Sequence, residues 1–176
     1  MSALPSHAYF LPLRGRWECA FDFAITDDAA FRASLALLDR QRLRGTVWLP
    51  RLLGQLSMQT SVDYRTSGAK VVVAHTTRVS KWGVTLLSSE ETLTLDENGR
   101  DFTMRGTYRM SPTSWRAHDF GDVRGTVDAS GTRASYTFTW MGTTMTQTTV
   151  ATADTVTITQ ESAWSRGVQV LRRIAG

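Results

Sequence analysis

The sequence predicts an all-β protein: a single antiparallel, up-and-down closed β-barrel of about nine or ten strands, with one helix between its first two strands. Apolar and polar residues alternate over most of the chain after Gly45, which is the period of half-buried strands. Turn signals recur every ~8–12 residues, a spacing typical of sandwiches and up-and-down barrels. One segment with helical spacing follows the first strand, and this early helix favours the closed barrel.

The length, composition and net charge of the chain indicate what kind of protein to expect. Its 176 residues suit one barrel domain over 1–176, with residues 1–10 as a loose lead-in. Hydrophobic residues are 41% and charged residues 20%, as in soluble globular proteins. The net charge of +4 comes from dispersed basic residues, so no nucleic-acid partner is expected. Residues 1–14 lack a signal-peptide core, and no segment has the ~20 apolar residues of a membrane span. We expect a cytoplasmic protein, of undetermined oligomeric state.

The first strand is predicted over 13–24. Trp17, Cys19 and Phe21 fall on one face and Glu18 on the other. Gly15 precedes them where a chain can bend sharply to close the bottom of a barrel. Cys19 is the single cysteine, which excludes a disulfide within the chain. Its apolar phase favours a buried small side chain over a nucleophile.

A helix is predicted over 27–40. Residues 26–28 offer an N-cap, with carboxylates at the positive end of the helix dipole. Phe31, Leu35 and Leu38 then repeat at helical spacing. Such a helix either forms a lid over an open barrel or plugs one end without a portal, and the sequence leaves both alternatives open.

Gly15-x-Trp17 at the start of the first strand, followed by the early helix, resembles lipocalins and fatty-acid-binding proteins of the calycin superfamily. In those families the tryptophan plugs the closed end of a ligand-holding barrel. The resemblance also implies an arginine over this tryptophan, for which Arg166, Arg172 and Arg173 are candidates. The chain departs from fatty-acid-binding proteins because no late strand carries their Arg-x-Tyr pair. Barrels of the nitrobindin type bind haem through a late histidine, and no histidine of this chain lies in the final two predicted strands, so haem is not expected.

The remaining strands follow at hairpin spacing. They are predicted over 46–49, 56–64, 70–80, 82–95, 102–110, 123–128, 134–140, 143–150 and 156–162. A phase switch near 88–91 predicts a bulge or a bend at a barrel corner. Residues 164–173 fit either a strand or a terminal helix, and the pattern does not decide between them.

The inward phases of these strands supply the ligand-binding candidates. They are Met58, Tyr64, His75, Tyr108, Trp140, Gln147 and Gln160. A bare buried amide costs about 1–3 kcal/mol, so inward amides indicate water or ligand in the lumen. A barrel of ten strands is also too wide for side chains alone to fill. The alternative is that Gln147 and Gln160 point to solvent.

These residues predict the binding or carriage of a small, largely apolar molecule with a polar end. The alternative is a small barrel enzyme, an isomerase, cyclase or lyase, with His75 and Tyr108 as catalytic candidates. An imidazole with a pKa near 6.5 suits proton transfer. Glu90 and Glu91 lie at the strand switch, but the pattern places no carboxylate in phase with His75. No cofactor is expected, and no metal, because the three histidines and one cysteine lack ligand spacing.

Overall fold

The computed structural model describes residues 5–22, 24–37, 55–67, 70–96, 99–110, 117–140 and 143–174. Within these ranges the helices are α1 (Pro5–Phe10) and α2 (Asp28–Leu37), with a single 3-10 turn at Leu11–Leu13. The strands are β1 (Gly15–Asp22), β2 (Ala24–Ile25), β3 (Gln55–Ser67), β4 (Lys70–Lys81), β5 (Val84–Leu95), β6 (Asp101–Met110), β7 (His118–Asp119), β8 (Val123–Val127), β9 (Arg133–Trp140), β10 (Thr143–Ala151), β11 (Thr155–Glu161) and β12 (Ser165–Arg173).

Ten of these strands close into one antiparallel barrel. Their order is β1-β3-β4-β5-β6-β8-β9-β10-β11-β12, and β12 pairs back onto β1. The short strands β7 and β2 add to β6 and β12. Helix α2 lies between β1 and β3 in the chain, as predicted. The closed barrel confirms the predicted fold class.

Trp17 closes one end of the barrel. Its side chain is 1% exposed, and its indole N–H donates to the carbonyl of Leu13 at 2.8 Å. The guanidinium of Arg173 covers the ring, which confirms the expected arginine and selects it from three candidates. Gly15 has φ +128°, and a Cβ there would lie 2.9 Å from the Arg173 guanidinium. A glycine at this position therefore allows both the bend and the close approach.

The expectation of a loose lead-in is wrong for residues 5–10, which form α1. Tyr9 and Phe10 are 2% and 5% exposed and pack against the closed end of the barrel. The Phe10 ring meets the Phe102 ring edge-on, with 5.3 Å between their centroids. The strand side chains do not fill so wide a barrel, and the aromatic residues of α1 occupy that space. Phe10 and Phe102 lie far apart in sequence, so local periodicity does not predict their contact.

The phase switch of β5 lies earlier than predicted. Its register with β4 shifts between Val79 and Ser80, so the bulge is at Leu86 and not within 88–91. The predicted strand start at Trp82 is also wrong. Trp82 and Gly83 form the turn between β4 and β5 with φ angles of 50° and 79°, and Trp82 is 84% exposed. Both residues have positive φ, which is typical of a tight hairpin turn.

Two further expectations concern residues 164–173 and residues 46–49. Residues 165–173 form a strand, which decides the alternative that the sequence left open. The strand predicted over 46–49 lies outside the described residues. Within the described part of the chain, no helix is long and apolar enough to cross a membrane. The cytoplasmic location stays a prediction.

Candidate functional site

The barrel encloses unfilled space in two adjoining parts. A cavity of about 190 Å³ lies in the half of the barrel next to α2, and a second of about 80 Å³ lies toward α1 and Trp17. Thr60, His75, Glu91 and Tyr136 are among the residues that border both. One water needs roughly 10–15 Å³, so the larger cavity has space for many waters or for a small molecule.

The wall of the larger cavity toward α2 is apolar and aromatic. Its side chains include Phe21, Phe31, Leu56, Phe138, Trp140 and Trp164. Phe31 of α2 is 5% exposed and packs edge-on against Trp164, with 4.9 Å between ring centroids. Trp164 in turn lies 5.8 Å from Trp140. Helix α2 therefore places an aromatic side chain directly on this end of the cavity.

A row of glutamines crosses the middle of the barrel. Gln169 donates to the Gln160 carbonyl at 3.1 Å, and Gln160 donates to the Gln147 carbonyl at 2.7 Å. Gln147 then donates to the hydroxyl of Tyr136. The register explains the row, because Gln147 lies opposite Gln160 on one neighbouring strand and opposite Tyr136 on the other. The row stabilises amides that would be costly to bury alone.

A histidine and a glutamate lie on the other side of the barrel. Together with the glutamine row and Tyr136 they form what we call the polar layer. His75 of β4 lies directly opposite Glu91 of β5, and its Nδ1 contacts a carboxylate oxygen of Glu91. The other oxygen of Glu91 accepts a hydrogen bond from Ser89 at 2.7 Å. His75 Nε2 lies 3.5 Å from the hydroxyl of Thr77, which is 3.1 Å from the hydroxyl of Thr60. These contacts join β3, β4 and β5.

His75 and Glu91 shift each other's pKa toward the charged forms. Burial alone would lower the pKa of His75, but the carboxylate of Glu91 and its hydrogen bond raise it above the ordinary value. Burial alone would raise the pKa of Glu91, but His75 and the Ser89 hydroxyl lower it below its ordinary value. The side chains are 24% and 10% exposed, and both line the cavity. Their geometry is therefore that of an imidazolium–carboxylate ion pair on the cavity wall.

Burial also sets the state of two other groups. It raises the pKa of Tyr136 well above the ordinary value, and the nearby carboxylate of Glu91 raises it further. Tyr136 therefore stays a neutral phenol. Burial raises the pKa of the half-buried Cys19 thiol to about 11, so this thiol is protonated at neutral pH.

The structure brings together six of the seven ligand-binding candidates. The larger cavity is lined by Met58, His75, Tyr108, Trp140, Gln147 and Gln160. Tyr64 does not line it, because β3 carries Tyr64 past Val62 to the closed end, where it packs against the core. It shares the inward phase of Met58 but lies at a different height in the barrel.

The two catalytic candidates lie at different heights of the cavity. Tyr108 pairs with Ser89, two positions along β5 from Glu91. Its ring stacks on His118, with 5.2 Å between centroids, and lies 5.0 Å from Phe120. Burial raises the pKa of Tyr108. Tyr108 therefore borders the aromatic half of the cavity, while His75 belongs to the polar layer.

Three members of the polar layer were not identified as site residues from the sequence alone. Glu91 was a candidate carboxylate, but its phase relative to His75 depends on the bulge at Leu86, which alternation alone does not locate. Gln169 lies in a segment whose secondary structure the pattern did not decide. Tyr136 was in an inward phase, and only its contact with Gln147 distinguishes it from a core tyrosine.

No protein-family profile matches this chain, and no curated protein matches it in sequence. The solved structures that match this chain in fold include two that span nearly all of it. Secretory abundant heat soluble protein 4 from Ramazzottius varieornatus is 14% identical, with 93% of this chain and 96% of that chain covered and a TM-score of 0.49. A Schistosoma mansoni fatty acid binding protein in complex with arachidonic acid is 12% identical, with 95% and 99% covered and a TM-score of 0.39. Neither likeness carries an argument about function, which we infer from this chain's own residues.

Proposed function

We propose that this protein binds or carries a small, largely apolar molecule with a polar end inside its barrel. One observation carries the proposal: the larger cavity is apolar and aromatic on the side of α2 and ends on a layer of hydrogen-bonded polar side chains. Cavities of this kind, mostly apolar with a few convergent polar groups, are typical small-molecule sites. The apolar body of the ligand packs against Trp140 and Phe138, and its polar end meets Gln160 and Gln147.

The glutamine row supports binding because its members keep hydrogen-bonding capacity. A glutamine amide has two N–H donors and a carbonyl with two lone pairs. Toward the described residues, Gln160 donates one hydrogen bond to Gln147 and accepts one from Gln169. Its second donor and second lone pair are available to a ligand or to water. A purely structural core would be more stable with apolar side chains at these positions.

Helix α2 supports the lid alternative over the plug. Phe31 borders the cavity and contacts Trp164, so displacement of this one helix would uncover the aromatic end. If strand side chains alone sealed both ends of the barrel, movement of α2 would not give a ligand access to the cavity. We propose that α2 opens for ligand exchange.

A titration with a neutral apolar fluorophore, N-phenyl-naphthylamine, tests the binding function. We expect saturable binding at one site per chain, with quenching of tryptophan fluorescence from Trp140 and Trp164. Met58→Trp, which fills the cavity, should reduce the affinity at least ~10-fold. Gln59→Trp is the matched control, since Gln59 is exposed on the outer face of the same strand. Equal binding by the two folded variants, or no saturable binding by the wild type, would contradict the proposal.

A second candidate function is proton-transfer catalysis, because His75 and Glu91 form an ion pair on the cavity wall. A histidine oriented by a carboxylate is a common general acid or base. The probe is 2-octanone in D₂O, whose protons next to the carbonyl exchange when a base removes them. Exchange above the buffer rate that is lost in His75→Asn but kept in Arg78→Asn, whose side chain is exposed on the same strand, would favour an enzyme. Exchange at the buffer rate would leave binding as the function.

A further inference from the structure

Among the residues that the structure describes, the lysines and arginines lie outside the two cavities. Among the described residues that line either cavity there is no lysine or arginine, and the one basic side chain is His75. Arginines of the barrel strands are instead exposed. Arg105 pairs with Asp122 at 2.6 Å, and Arg166 pairs with Glu161 at 3.2 Å, both on the outer surface. A chain with a net charge of +4 therefore presents no free cation to a ligand from its described cavity wall.

We propose that the ligand is electrically neutral, with a hydroxyl, carbonyl or amide as its polar end, and that the His75–Glu91 pair excludes carboxylate ligands such as fatty-acid anions. This inference rests on the proposed binding function and specifies the class of molecule that the cavity takes.

A carboxylate in this cavity would lack a counter-charge. Removing an ion from water costs several kcal/mol unless an opposite charge or several hydrogen bonds compensate it. The positive charge of His75 is already neutralised by Glu91, whose carboxylate also accepts from Ser89. An entering carboxylate would therefore meet the like charge of Glu91 in a medium of low polarity, where repulsion is strong.

An ammonium group in this cavity would also lack a free counter-charge. Both oxygens of Glu91 are already engaged, one by His75 and the other by Ser89. The imidazolium of His75 would repel a second cation beside it. The pair is therefore neutral as a unit and disfavours a free charge of either sign.

A neutral polar group fits the same layer well. The amides of Gln147 and Gln160 offer both N–H donors and carbonyl acceptors. A hydroxyl can donate to one and accept from the other, while a carbonyl or an amide can use the N–H donors. No ion is desolvated in either case, so the cost of burial is limited to exchanging hydrogen bonds with water.

A panel of ligands with one chain length tests this inference on the unmodified protein. Bound N-phenyl-naphthylamine is displaced at neutral pH with 1-octanol, octanoate and octylammonium. We expect 1-octanol to displace the fluorophore at concentrations at least ~10-fold lower than either ion, because only the ions lose their hydration. Displacement by octanoate or octylammonium at equal or lower concentration than 1-octanol would overturn the inference, and so would failure of 1-octanol to displace it. Failure of the fluorophore itself to bind would instead contradict the binding function.

A matched pair of variants tests the role of the ion pair. In Glu91→Gln the carboxylate is lost, and an entering octanoate can take its place beside His75. We expect the ratio of octanoate to 1-octanol affinity to rise at least ~10-fold at about pH 5.5, because a bound carboxylate beside His75 favours protonation of the imidazole, as Glu91 does in the wild type. Glu90→Gln is the control, since Glu90 is the exposed neighbour on the outer face. An equal ratio in the two variants would show that the pair does not select the ligand.

Discussion

The guanidinium of Arg173 lies 4.2 Å from the centre of the Trp17 ring. The same guanidinium donates to the carbonyls of Pro12 and Arg14, at 2.6 and 2.7 Å. The last barrel strand thereby holds the turn that leads into the first strand. Trp17 lies beneath this contact, within the closed end, and anchors the core there.

Trp17→Ala should lower the free energy of unfolding by about 3–5 kcal/mol, as removal of large buried aromatic side chains does. Arg173→Ala removes a cation–π contact and hydrogen bonds to the backbone, and should cost about 1–2 kcal/mol. Arg172→Ala is the control, because Arg172 is exposed on the same strand. Urea unfolding monitored by circular dichroism measures all three. A urea unfolding curve of Trp17→Ala equal to that of the wild type would exclude this residue from the core.

A glycine opposite Phe102 tests the packing of the closed end. Gly125 pairs with Phe102, and a Cβ at Gly125 would lie 2.1 Å from the Phe102 ring. Because this ring is buried, Gly125→Ala should lower the free energy of unfolding by about 1–3 kcal/mol. At Gly167 of β12 the nearest atom to an added Cβ is 4.0 Å away, so Gly167→Ala should be neutral. Equal effects of the two substitutions would show that the Phe102 contact does not limit position 125.

The pH dependence of stability tests the His75–Glu91 ion pair. The folded pKa of His75 lies above its ordinary value of 6.5, so its contribution is complete below that pH and is lost as the pH rises through the raised pKa. The folded pKa of Glu91 lies below its ordinary value of 4.5, so its contribution is complete above that pH and is lost as the pH falls through the lowered pKa. The pair therefore stabilises the barrel most between these two ordinary values.

The measurement is the free energy of unfolding of the wild type and of Glu91→Gln at about pH 4, 5.5 and 8. We expect the difference between the two proteins to be largest at the middle pH and to shrink toward both extremes. Glu90→Gln, on the outer face, should show no such maximum. A difference for Glu91→Gln that does not change with pH would mean that the pair is not ionised in the folded protein.

Loss of one amide of the polar layer should weaken binding without unfolding the barrel. Gln160→Ala removes a ligand anchor, and we expect it to weaken the binding of 1-octanol by about 1–2 kcal/mol. Thr159→Ala, the neighbouring change on the opposite face of β11, should leave the affinity unchanged. Displacement titrations and thermal melts of both variants separate binding from folding. Unchanged 1-octanol affinity in folded Gln160→Ala would remove the glutamine row from the ligand site.

Shortening the aromatic residue of α2 should speed ligand exchange. Phe31→Ala breaks the contact with Trp164, so we expect the dissociation rate of the fluorophore to rise about 10-fold in stopped-flow experiments. Arg32→Ala is the control, because Arg32 is exposed and pairs with Asp28 on the surface of the helix. If both variants release the fluorophore at the wild-type rate, α2 is a static plug and not a lid.

Much of the site could be predicted because strand periodicity assigns each residue to a face. Met58, His75, Gln147 and Gln160 line the cavity as their alternation indicates. Periodicity does not report height along the barrel axis. Tyr64 shares the phase of Met58, yet the length of β3 carries it to the closed end. Only the pairing of the strands decides which inward residues share a level.

The alternation of apolar and polar residues, the spacing of turns and Gly15-x-Trp17 by themselves determined a closed barrel with an early helix, because these signals are local. The burial of α1, the ion pair of His75 with Glu91 and the row that runs from Gln169 to Tyr136 required the tertiary structure. Each depends on register: one bulge at Leu86 sets the phase of Glu91, and strand closure aligns the glutamines. A shift of one residue in either would turn these side chains to the opposite face, and no local pattern in the sequence fixes that shift.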